Sequence, residues 1–111
     1  MKPIAFIVCL LLVGQAFTEN TWGFEEEDDV MVLTGETFPE AIKKHEYVLV
    51  VYYAPWCGHS QELMPEYSAA AKILKKTDPP VPLGKIDATH HIEITNKYQV
   101  LVYPTIKFYN K

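Results

Sequence analysis

The stretch YVLVVYYA, Tyr47 to Ala54, is apolar nearly throughout, rich in β-branched and aromatic residues, and stopped by Pro55. Such a run reads as a strand. It shows no alternation of polar and apolar residues, so both its faces must be covered, as at the centre of a sheet with helices on either side. The flanking segments must then supply those helices and the neighbouring strands.

They do so in alternation. Upstream, VMVLT (Val30 to Thr34) is a short strand ended by Gly35. TFPEAIKKH follows as a helix: Thr37 and Glu40 have capping-box spacing, Pro39 falls in the first turn, and Lys43, Lys44 and His45 suit the C-terminal end. Downstream, Leu63, Tyr67, Ala70 and Leu74 fall at spacings of four, three and four, which places them along one face of a helix from Cys57 or Gly58 to Lys76. Pro65 is expected to kink it. TDPPVP is an irregular connection, LGKIDAT a strand ending in a turn, and Ile92 to Tyr98 a short helix. TIKFY sets Ile106 and Phe108 against Thr105, Lys107 and Tyr109, a strand with one face inward. Strand and helix in this order predict an α/β domain with a mainly parallel sheet. The segment WCGHS lies where the buried strand meets the next helix, the place where such sheets put ligands.

A chain of 111 residues with 49% apolar content supports one domain with a small core. Residues 1–16 separate themselves: Lys2, the apolar run IAFIVCLLLV, then GQA with small residues at Gly14 and Ala16. This pattern reads as a cleaved secretory leader, and Ile4 to Val13 is about half of what a bilayer crossing needs, so no membrane anchor is expected after cleavage. Cleavage removes Cys9 and leaves Cys57 alone. An odd cysteine in an oxidising compartment points to intermolecular pairing or a reactive site, against the plain alternative of a buried inert thiol. Without Lys2, nine lysines face 14 acidic side chains, and the chain has no arginine, which argues against nucleic acid as a partner. Residues 17–29, with EEEDD at Glu25 to Asp29, read as an acidic, solvated and flexible segment ahead of the domain at 30–111.

Cys57 stands at a helix start, where unpaired backbone N–H groups and the helix dipole favour a thiolate. His59 can add a positive charge when protonated, and Trp56 an apolar platform. The histidines His45, His59, His90 and His91 bring no cysteine or carboxylate at ligand spacing, so neither a metal nor a cofactor is called for.

YAPWCGHS, followed by Pro65, KIDAT and YPTIKF, resembles the catalytic a-type thioredoxin domains of protein disulfide-isomerases, from about Val30 to Lys111. The resemblance implies a thioredoxin fold, a central mixed and mainly parallel sheet flanked by helices, and disulfide exchange in the endoplasmic reticulum lumen. It implies that Cys57, His59 and position 60 are catalytic and that Trp56, Gly58, Tyr103 and Pro104 border substrate. It also implies a cis bond between Tyr103 and Pro104, which exposes the Tyr103 backbone to an extended client segment.

Three departures from that pattern matter. Ser60 stands where the family has its second cysteine. Val51 stands where the family has a buried glutamate, while Lys85, which commonly pairs with that acid, remains and otherwise snorkels to solvent. The last strand and helix of the family fold, and a retrieval tetrapeptide, are absent from the sequence, so the domain is expected to be incomplete and to associate with itself through an open sheet edge. Cys57 can attack a client disulfide, but release must await a client thiol or glutathione. The expected activity is therefore isomerase-like exchange on unfolded or partly oxidised secretory proteins without net dithiol oxidation. Covalent retention of clients without turnover is the alternative.

Overall fold

The computed structural model describes residues 21–110; the leader read at residues 1–16, with Cys9, lies outside the described residues. The elements in chain order are β1 (Glu26–Glu27), β2 (Val30–Leu33), α1 (Thr37–Lys44), β3 (Tyr47–Tyr53), α2 (Gly58–Leu74), β4 (Leu83–Asp87), α3 (Ile92–Lys97) and β5 (Thr105–Asn110). The strands form one sheet in the order β1-β2-β4-β3-β5. β2, β4 and β3 run parallel, while β1 and β5 pair antiparallel at the two edges. This is the mixed sheet of the thioredoxin fold.

β3 is covered on both faces. On one, Val48, Val50 and Tyr52 pack with Phe38 and Ala41 of α1 and Ile94 of α3. On the other, Val51 packs with Tyr67 and Ala71 of α2. Each large apolar side chain buried in this way contributes about 1.5–3 kcal/mol. Tyr67 cannot be replaced by a purely apolar ring without loss, because its Oη lies 2.9 Å from the carbonyl of Leu49 and 2.8 Å from that of Gly84, bridging β3 to β4 with one shared proton. Gly84 lets the core close over the sheet: a Cβ there would stand 2.8 Å from Leu33 Cδ1, so the buried Leu33 side chain would have to shift to admit one.

Three local expectations change. The acidic run is no loose segment: Glu26 and Glu27 form β1, which turns into β2 through Asp28 and Asp29, with φ of 51° and 70°. Two left-handed residues between antiparallel strands make a tight hairpin, and Asp tolerates that conformation better than most residues. At the start of α1 the capping-box pair is not Thr37 with Glu40. Thr34 N–H donates to Thr37 Oγ1 at 2.8 Å and Thr37 N–H to Thr34 Oγ1 at 3.2 Å, a reciprocal pair three residues earlier in the chain. On β5, Tyr109 joins the main cluster, edge-on to Phe38 and Tyr98, whereas Ile106 and Phe108 are 45% and 56% exposed on the opposite face.

Candidate functional site

Pro55 ends β3 and Cys57 N–H returns to the Ala54 carbonyl at 3.0 Å, a turn that leaves Cys57 extended (φ −85°, ψ 124°) as the N-cap of α2. Its carbonyl accepts the Gln61 N–H at 3.0 Å, so the helix begins immediately after the sulfur. The half-buried thiol is held below its ordinary pKa. The Ser60 N–H is the main cause; partial desolvation opposes it, and the Ser60 hydroxyl and the His59 N–H add to it. A helix N-terminus thus delivers the donors that the residue spacing called for.

The other expected residues gather around the sulfur in unequal ways. Tyr103 and Pro104 are joined by a cis bond, and the Tyr103 carbonyl lies 3.8 Å from Cys57 Sγ. Trp56 is 71% exposed and meets Tyr103 edge-on, with ring centroids 6.3 Å apart. Gly58 faces open space, with no atom within 4 Å of where a Cβ would stand. His59 does not bring its imidazole to the sulfur: the exposed ring lies 3.9 Å from the Glu62 carboxylate, and the residue acts on Cys57 through its N–H. Ser60 is 1% exposed, and its Oγ accepts the Ala54 N–H at 3.3 Å.

Behind Ser60 an open cleft of about 750 Å³ runs between α2 and the sheet, bordered by Tyr53, Met64, Pro65, Lys85 and Glu27. Val51, fully buried, is the register partner of Lys85. Lys85 does not snorkel: its side chain is 11% exposed and its ammonium donates to Glu27 Oε1 at 2.7 Å. This hydrogen bond and the charge of Lys85 hold the Glu27 carboxyl below the usual range. Glu27 escaped the sequence reading because its partner lies 58 residues away. The signal that could have found it is the Asp28–Asp29 pair before an apolar strand, a two-residue hairpin turn that sends Glu27 back along β2. Glu26 and Asp29 of the same run both accept from Lys75 at the end of α2, at 2.6 and 3.0 Å.

The adjacent histidines serve the fold. His90 Nδ1 lies 2.8 Å from Asp87, and His91 Nδ1 accepts the Gly35 N–H at 3.2 Å. Among the described residues, no three His, Cys, Asp or Glu side chains converge so as to hold a metal ion.

The family model described as Thioredoxin matches residues 29–111. Protein disulfide-isomerase of Oryctolagus cuniculus is 44% identical over 103 residues, covering 93% of this chain and 20% of its own length. Protein disulfide-isomerase A4 of Homo sapiens is 47% identical over 81 residues, 73% of this chain and 13% of its own. The chain thus spans about a fifth or less of the length of these relatives. Among solved structures, the first thioredoxin domain of mouse protein disulfide-isomerase A4 superposes with a TM-score of 0.74 at 40% identity, over 82% of this chain and 65% of that one. Human ERp44 form I gives a TM-score of 0.71 at 28% identity, over 78% and 24%. The chain belongs to the thioredoxin family, and the relatives and structures it matches here include thioredoxin domains of protein disulfide-isomerases.

Proposed function

We propose that this chain exchanges thiols and disulfides on folding secretory proteins through Cys57 alone, in the endoplasmic reticulum lumen, reshuffling bonds rather than adding them. One observation carries the reading: Cys57 caps α2 with its thiolate favoured by backbone donors, while Ser60, one helical turn on, is buried and brings no second sulfur. The Cys57 thiolate attacks one sulfur of a client disulfide, that bond breaks, and the other client sulfur leaves as a thiolate that takes a proton from water. A client thiolate or glutathione then attacks the mixed disulfide, and the electron pair returns to Cys57 Sγ. Similarity to protein disulfide-isomerases supports clients of this class and this compartment.

The test is recovery of a scrambled disulfide protein in a glutathione buffer. The expected result is slow turnover that Cys57→Ser abolishes. The sulfur-free position 60 also favours a second reading, covalent retention, because a mixed disulfide with no internal thiol to break it persists. Mixed disulfides that accumulate on Cys57 with no gain in native client select retention. Equal recovery by the parent and Cys57→Ser, with no mixed disulfide formed on Cys57, overturns both.

A further inference from the structure

A large apolar side chain left in water adds nothing to folding, and where several stand side by side the surface is marked for contact. Trp56, Leu101 and Val102 are 71%, 90% and 66% exposed. All three sit on the two segments that meet at the reactive sulfur. The Tyr103 carbonyl lies 3.8 Å from Cys57 Sγ, and Trp56 meets the Tyr103 ring edge-on. Val102 and Leu101 directly precede Tyr103, and chain geometry keeps Val102 Cα within about 10 Å of the sulfur. Neither segment is charged: Ala54 to Gly58 and Gln99 to Pro104 hold no lysine or carboxylate. The exposure of Leu101 is fixed by the backbone on either side of it. Gln99 takes a left-handed φ of 56°, its N–H reaches the Asn96 carbonyl at 3.3 Å, and the Val100 N–H reaches that of Thr95 at 3.0 Å. Such a pair of bonds closes the end of a helix and turns the apolar side chain after the left-handed residue back onto it. Val100 is accordingly buried, and Leu101 follows it outward. At the other end, Thr105 Oγ1 donates to the Val102 carbonyl at 2.6 Å. Leu101 also borders an open cavity of about 390 Å³, with Thr95, Asn96, Gln99 and Val100.

We infer that Leu101 and Val102 are specificity-determining residues for exchange at Cys57, selecting clients that carry an apolar side chain two residues from the reacting cysteine. The inference rests on the function proposed above and names its substrate class. The occupant follows from the chemistry, because a client chain bonded to Cys57 Sγ is brought to the Tyr103 backbone and to the two residues before it. In an extended client the side chain two residues from the cysteine shares the cysteine's face, about 7 Å away. Leu101 stands two residues from Tyr103. Covering Leu101 and Val102 takes apolar surface of both partners out of water, and a segment already held at both ends needs little further ordering. A charged client side chain there would lose water and gain no opposite charge. The contact forms as the client approaches and so speeds the attack. The Cys57 thiolate bonds to one client sulfur, the client S–S bond breaks, and the other sulfur leaves with the electron pair.

The experiment is a single attack followed by mass spectrometry. Reduced protein meets the symmetric disulfide of a short peptide that has one cysteine and either leucine or serine two residues to each side of it. The Cys57–peptide disulfide is expected to form about four-fold faster with leucine, the effect of taking one methylene group out of water. In the double variant Leu101→Ser, Val102→Ser the ratio of the two rates is expected to fall to about one. A change in the thiol itself scales both rates and cancels in that ratio. Equal rates in the parent overturn this inference alone, whereas a parent that forms no disulfide with either peptide overturns the proposed exchange with it. A preference that the double variant keeps belongs to another apolar face, such as Ile106 and Phe108, and overturns the inference too. So does a parent without preference whose self-association the substitutions abolish, which assigns the surface to a second copy of the chain. If the double variant does not melt cooperatively, the ratio in Leu101→Ser alone decides it.

Discussion

Ser60 Oγ is held by the Ala54 N–H and lies one helical turn beyond Cys57, so a sulfur at that position would be within reach of the first. Ser60→Cys is expected to form an internal disulfide with Cys57 and to give oxidase turnover in an oxidative refolding assay. The new thiol would be buried, where desolvation raises its pKa, and Val51 offers no carboxylate to move its proton, so the gain should be partial. Val51→Glu would place an acid at the register partner of Lys85, in competition with Glu27. It should raise turnover further by up to about ten-fold in the Ser60→Cys background and do little alone. An equal fold-change in both backgrounds would show that the two positions act independently. At the same scale, His59 shows how direction matters: its N–H reaches Cys57 while its ring turns to Glu62.

Among the elements, the β1–β2 hairpin does the most for its size. In two residues of strand and two of turn it brings Glu26 and Asp29 to Lys75 at the end of α2 and Glu27 to Lys85 on β4. Its geometry depends on Asp28 and Asp29 both holding positive φ. A β-branched residue is poorly suited to that region, so Asp28→Val is expected to destabilise the protein by about 1–2 kcal/mol. For a domain of this size, each kcal/mol lowers Tm by roughly 4–8 °C, a drop that calorimetry resolves. A melting point unchanged from the parent would mean that the hairpin does not need the left-handed pair. The short helix α3 and the strand β5 follow their sequence patterns in extent, but β5 turns its polar-looking face inward because Tyr109 reaches Phe38 and Tyr98.

For the molecule as a whole, the sheet is asymmetrically covered. α2 protects Val51, Leu83 and Val30, yet among the described residues no element lies over Ile106 and Phe108, and Phe108 stacks on Tyr47 with centroids 5.9 Å apart. Among the described residues β5 pairs with β3 alone, at the edge of the sheet. Exposed edges flanked by apolar side chains invite pairing with another chain. This chain is therefore expected to associate with rising concentration in sedimentation velocity, and Ile106→Lys with Phe108→Lys should shift it towards monomer. A parent that stays monomeric from micromolar to millimolar concentration would sink that expectation.

The sequence by itself determined what depends on near neighbours and period. An apolar run without alternation made β3 a strand covered on both faces, and spacings of four, three and four placed α2 and set Cys57 at its start. The extent of β4 and the helical turn at Ile92 followed from the same patterns. The tertiary structure decided which charged groups meet and which face of a strand is inside. Glu27 finds Lys85 only because β1 folds onto β2, β2 lies beside β4, and Val51 leaves the lysine without a nearer acid. Likewise, Ile106 and Phe108 look like core residues in the sequence, but the interior they would enter exists only where a helix lies over that face, and α2 covers β3 rather than β5. Periodicity reports that a side chain has a preferred face; the packing of elements far apart in the chain determines what that face meets.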